Sequence, residues 1–149
     1  MGAEPCGKYL YAAEGMGTGL AAFAINPTNG ALNAAVVPGS PYTMPSPATA
    51  IAFHPSGKFL YLGVNGGNIN KWAIASDGSL TSQGLAATTA WVYDLSVDAG
   101  GKFLWALVGC GTLSTIVPFS MDPVTGALTP TGGGITCVPN TTRITTVSY

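Results

Sequence analysis

Charged side chains are so scarce in this sequence that every candidate for chemistry can be named. There are five Lys and Arg, six Asp and Glu and a single His, for a net charge of −1. Hydrolysis of an acyl bond needs a base to take a proton from water and a donor to hold the developing oxyanion. The residue types for that chemistry are Asp94 and Glu14, as carboxylates, and Arg143, the single guanidinium. Trp91 adds an aromatic wall. Asp94, Glu14 and Arg143 stand out because, Lys71 apart, the remaining charges fall at repeated turn positions. Lys8, Lys58 and Lys102 share one such position, Glu4, His54 and Asp98 a second, and Asp77 and Asp122 a third. In turns, Asx side chains cap local backbone N–H groups. His54 therefore reads as a turn residue, and Lys71, next to Trp72, as an outward-facing strand residue.

Other chemistries find few residues. Gly15-Met16-Gly17-Thr18-Gly19 is glycine-rich but is not followed by the helix a phosphate site requires. One His and three dispersed Cys lack metal-ligand spacing, so neither a metal nor a cofactor is expected. Without a basic surface, nucleic acid is not an expected partner. No apolar run reaches the roughly 18–20 residues of a membrane span.

The elements that must carry these residues repeat along the chain. Gly7-Lys8-Tyr9-Leu10-Tyr11 returns as Gly57-Lys58-Phe59-Leu60-Tyr61 and as Gly101-Lys102-Phe103-Leu104-Trp105. A turn motif follows each copy: Asn26 to Leu32, the shortened Ser76 to Leu80, and Asp122 to Leu128. The glycines of these turns, Gly30, Gly78 and Gly126, are 48 and 48 residues apart. Charged residues make up 7% of the chain, against about 25% in typical domains. With 21 Gly and 11 Pro, that composition favours short strands and tight turns over amphipathic helices. A strand-and-turn period of about 40–50 residues is that of β-propeller blades.

The expected fold is all-β: three four-stranded antiparallel blades, twelve strands, in a single unit over 1–149. The blades fall at roughly 3–46, 47–89 and 90–139, with a final innermost strand over 140–149. Innermost strands alternate at Ile51 and Phe53, at Tyr93, Leu95 and Val97, and at Val147 and Tyr149. Phe23, Trp72 and Phe119 occupy one position of the third strand in each blade, and Pro118 predicts an irregular ladder there. On this reading the first blade is split between the two termini. Three blades do not close a ring, and an open arc exposes blade faces and edges. Homo-oligomerisation with exchange of the terminal strand is therefore expected, a six-bladed homodimer ahead of a nine-bladed homotrimer. Cys110, in a loop between the second and third strands, and Cys137, before the last strand, fall on the same face. A Cys110–Cys137 disulfide would be worth roughly 3 kcal/mol and would suit an exported bacterial protein; in the alternative all three cysteines are reduced.

The motif Pro-Ser-Gly-Lys-Phe-Leu-Tyr at Pro55–Tyr61, followed by the Thr-Gly-Ala-Leu turn at Thr125–Leu128, resembles the repeat of the lactonase-type (YVTN-like) β-propeller family. That family includes bacterial 6-phosphogluconolactonases and many secreted repeat proteins. The resemblance covers all three blades. Ala12-Ala13, Leu62-Gly63 and Ala106-Leu107 depart from the family pattern after the aromatic pair. Because the shared residues build turns and strands, the residues themselves favour a non-catalytic scaffold or binding module. The alternative that the resemblance implies is a lactonase-like hydrolase of a sugar lactone, working at the channel mouth through Arg143 and Asp94 with Trp91 and Glu14 nearby.

Overall fold

A computed structural model describes residues 1–33, 37–110, 113–137 and 141–146, with Cys110 described by its backbone alone. It contains three antiparallel sheets and, among the described residues, no helix. The first sheet holds β1 (Gly2–Ala3), β2 (Tyr9–Ala13), β3 (Gly19–Ile25), β4 (Leu32–Asn33) and β5 (Tyr42–Thr43). The second holds β6 (Ala48–Phe53), β7 (Phe59–Val64), β8 (Asn68–Ile74) and β9 (Leu80–Thr88). The third holds β10 (Trp91–Val97), β11 (Phe103–Cys110), β12 (Leu113–Met121), β13 (Leu128–Pro130) and β14 (Ile135–Thr136).

Among the described residues there are fourteen strands where twelve are expected, because the outermost strand of two sheets is in two pieces. Both β4 and β5 pair with β3, and both β13 and β14 pair with β12. The interruptions contain Pro38-Gly39-Ser40-Pro41 and Gly132-Gly133-Gly134, residues that withhold donors or favour turns. The second sheet has one glycine at the same stage. The β8–β9 ladder takes up excess residues at two register shifts, one of them at Gly84, whose φ is +77°, and β9 stays continuous.

Pro118 behaves differently from the expectation. The ladder between β11 and β12 runs through the Trp105↔Pro118 pair without a shift. The irregularity is on the outer side: β13 pairing ends at Phe119 and β14 pairing resumes at Ile116. Proline has no N–H to give, and it sits where the outer ladder is broken.

The sheets pack face to face around two apolar clusters. One, with Tyr11, Leu20, Leu60, Leu62 and Trp72, fills the space between the first and second sheets. The other, with Tyr61, Ile69, Val92, Leu104 and Phe119, lies between the second and third. The register matches Leu10 with Phe23, Leu60 with Trp72 and Leu104 with Phe119, so the three aromatic positions of the third strand are equivalent. Each first-to-second-strand turn closes alike: Gly7, Gly57 and Gly101 donate N–H groups to Glu4, His54 and Asp98 carbonyls at 2.9, 2.9 and 3.0 Å.

Gly2–Ala3 already pairs with Tyr11 and Leu10, so the first sheet has a short innermost strand of its own. The described part of the final segment, 141–146, joins no sheet. It lies along β10, where the Thr146 hydroxyl donates to the Val97 carbonyl at 2.8 Å. Val147 and Tyr149 lie outside the described residues.

Candidate functional site

The innermost strands are not simple alternating strands. The register of β6 on β7 shifts between Ala48 and Ala50, and that of β10 on β11 shifts between Val92 and Asp94. An extra residue, Thr49 or Tyr93, is accommodated in each, and a bulge of this kind re-aims the side chains beside it. In β10 the fully buried residues are Val92 and Leu95, three apart, while Tyr93 and Val97 are half-buried. The expected core alternation of Tyr93, Leu95 and Val97 is therefore offset by the bulge.

Both bulges open onto one pocket of about 200 Å³, lined by Met1, Ala13, Thr49, Ile51, Asp94 and Arg143 among others. Asp94 lies immediately after the bulge. Its Oδ1 accepts the Leu95 N–H and its Oδ2 accepts the Ile144 N–H, both at 3.0 Å. The second bond ties residues 141–146 to β10 and so places the adjacent Arg143 at the pocket. Thr49 is committed elsewhere, donating its hydroxyl to the Gly63 carbonyl at 3.1 Å.

Asp94 and Arg143, 49 residues apart in sequence, are thus brought together around one cavity. The other two candidates are not among its lining residues. Trp91 begins β10 and is exposed. Glu14 is also exposed, and its carboxylate turns back over its own loop to accept the Gly19 N–H at 3.1 Å. Thr49, Met1 and the two bulges were not foreseen; the three-residue spacing of Val92 and Leu95 is the sequence signal that carries the second bulge.

His54 is buried in its turn. Its Nδ1 pairs with Ser56 Oγ at 2.7 Å and its Nε2 with the Gly101 carbonyl oxygen of the next sheet at 3.1 Å. Both ring nitrogens are occupied, which accounts for the residue structurally. The Cys137 N–H donates to the Ser114 carbonyl at 2.8 Å. The Cys110 side chain, and with it the Cys110–Cys137 pairing, lies outside the described residues; on the backbone, Cys110 pairs with Leu113. Among the described residues no three His, Cys, Asp or Glu gather as a metal site. Among the described residues no helix is long and apolar enough to cross a membrane.

Chemically, Asp94 keeps lone pairs beyond its two backbone bonds, and Arg143 presents five N–H donors suited to an oxyanion or carboxylate. The pocket can place a water beside a carboxylate and a carbonyl beside a guanidinium.

Residues 2–145 match the family described as Lactonase, 7-bladed β-propeller. No curated protein matches the chain. Among solved structures, a Bacteroides fragilis protein with a provisional 6-phosphogluconolactonase assignment is similar at 22% identity and a TM-score of 0.74, over 90% of this chain and 38% of its own. The Pseudomonas aeruginosa periplasmic gluconolactonase is similar at 21% identity and a TM-score of 0.71, over 95% of this chain and 41% of its own. A Lactobacillus plantarum protein is similar at 20% identity and a TM-score of 0.68, over 96% and 42%. The chain thus spans about two fifths of the length of these structures. At such identities the likeness is one of fold.

Proposed function

The chain belongs to the lactonase family of seven-bladed β-propellers, and from that premise we propose that it forms the lactone-hydrolysing part of a propeller, with its pocket at Asp94 and Arg143. The observation that carries this reading is that these two residues, 49 apart in sequence, line one cavity beside the β10 bulge. Asp94 would take a proton from water as the water oxygen adds to the lactone carbonyl. The Arg143 guanidinium would hold the resulting oxyanion. Collapse of that intermediate breaks the ring C–O bond, and the protonated Asp94 returns its proton to the leaving alkoxide, giving the open hydroxy acid. The family match favours this reading over a non-catalytic scaffold.

The test is turnover of a sugar δ-lactone followed in a pH-stat, with Asp94→Asn and Arg143→Gln beside the unaltered protein. Loss of general-base action should lower kcat by about 10²-fold or more, with thermal melts showing each variant folded. No turnover by the unaltered protein above buffer would return the scaffold reading.

We further propose that copies of the chain complete a ring, two giving six blades and three giving nine. Support comes from the apolar faces at both ends of the arc, where Leu32 and Phe103 are exposed. Export is proposed alongside, on the low charge content of the sequence.

A further inference from the structure

The two internal sheet contacts are built alike, residue for residue. Tyr11 donates its hydroxyl to the Gly78 carbonyl at 2.9 Å, and Tyr61 donates to the Gly126 carbonyl at 2.8 Å. In each case a strand residue of one sheet reaches the outer turn of the next. The aromatic two residues earlier lies on the same glycine. A Cβ at Gly78 would stand 2.5 Å from the Tyr9 ring, and one at Gly126 would stand 2.8 Å from the Phe59 ring. The positive φ of both glycines, +81° and +67°, and this close approach define a ring-on-glycine socket.

One copy of each half is open: the third of the ring pairs and the first of the turns. Phe103 and Trp105, the register equivalents of Phe59 and Tyr61, form a tilted ring pair with centroids 6.1 Å apart and, among the described residues, have no turn above them. Phe103 is 41% exposed where Phe59 is 6%. Beside Trp105 an apolar groove runs past Ser96 and Ile116. These two are the register equivalents of Ala52 and Ile69, which are buried between the second and third sheets. At the other end of the arc, the Asn26–Gly30 turn is the socket without a ring: Gly30 has φ +73° and nothing within 4 Å of a Cβ. Below it Leu32, equivalent to the buried Leu80, is 51% exposed.

We propose that the Phe103/Trp105 face of one copy docks on the Asn26–Gly30 turn and Leu32 face of a second copy, repeating the internal contact between chains. The inference rests on the ring-completion reading and names its interface. The occupant is a second copy because both unmatched halves of the socket lie on this one chain, each continuous with an interface already formed inside it. Such a contact is head-to-tail, so it closes into a ring or propagates.

The test is light scattering of the full chain on a sizing column over a range of concentrations, reading mass against 15.0 kDa. The unaltered chain should run as a multiple of that mass. Gly30→Asn tolerates the left-handed backbone, meets open space within one chain, and should weaken association about tenfold or more by filling the socket. Phe103→Ser, at an exposed ring, should do the same, and both variants should keep the wild-type far-ultraviolet circular dichroism. Trp105→Tyr supplies the missing hydroxyl and should tighten association. A monomer at every concentration overturns ring completion and this interface together. An oligomer indifferent to both Gly30→Asn and Phe103→Ser overturns the interface alone.

Discussion

The second strand of the middle sheet and that of the first sheet carry nearly the same sequence in opposite surroundings. Phe59–Val64 is buried at every residue, whereas in Tyr9–Ala13 only Tyr11 is. The motif Gly-Lys-aromatic-Leu-Tyr is shared, so its own pattern does not decide burial; the neighbours do. The middle strand has a sheet on each face and the first has one on a single face. A blade motif therefore encodes a strand that tolerates burial on both sides, and the protein uses that capacity only where another sheet arrives.

Truncations should expose this asymmetry most strongly. Leu60→Ala removes a fully buried side chain and should cost about 2–5 kcal/mol. Its first-sheet equivalent Leu10 is half-buried, so Leu10→Ala should cost clearly less. Urea melts of the two variants decide the matter; equal losses would mean that sheet neighbours do not set the energetics.

The tyrosine contacts sharpen the comparison at a smaller scale. Tyr61→Phe leaves the buried Gly126 carbonyl without its donor and should destabilise by about 1 kcal/mol or slightly more. Trp105→Phe, at the equivalent open position, should be close to neutral in a dilute monomer. Burial pushes the phenols of Tyr11 and Tyr61 well above their ordinary range, with Glu4 adding to the effect at Tyr11. The folded state thus favours the neutral phenol. The stability this gives is full below the unfolded pKa of about 10 and is lost as pH rises past it. Melts repeated from pH 8 upward should fall more steeply for the unaltered chain than for a Tyr11→Phe/Tyr61→Phe variant.

Much of this architecture was legible before any coordinates, for a definite reason. Turns such as His54–Gly57 and Asp122–Gly126 depend on residue types that few alternatives replace, so their recurrence locates each strand to within a residue. The innermost strands were less legible. Period-two reading of Trp91–Val97 assumes an unbroken ladder, and the bulge before Asp94 violates that assumption. Gly2–Ala3 was missed because Gly and Ala carry no strand preference and pair here only because β2 offers an edge. For the site, repeat alignment put Asp94 and Arg143 at one end of the channel. It could not foresee that Glu14 folds onto Gly19, since side-chain direction within a glycine-rich loop is set by local N–H groups.

The smallest expected effect concerns the outer turns, where the first repeat carries Asn26 and the third carries Asp122 at the same position. Asp122 accepts the Thr125 N–H at 2.6 Å, the Thr125 hydroxyl at 2.8 Å and the Val124 N–H at 3.0 Å. The Thr125 backbone and hydroxyl bonds, ahead of the other contributions, hold its carboxyl below the usual carboxylate range. Asn26 holds the corresponding first turn with a neutral amide oxygen, accepting from Thr28 N–H at 2.8 Å. A lowered folded pKa means that the Asp122 contribution is present above the unfolded value of about 4 and disappears as pH falls through the folded one. Asp122→Asn should therefore cost a little stability at pH 7 and nothing in strong acid, while Asn26→Asp should add acid sensitivity to a turn that has none. Paired melts at pH 7 and in strong acid measure both, and a stability gap for Asp122→Asn that did not narrow on acidification would mean that charge is not what distinguishes the two turns.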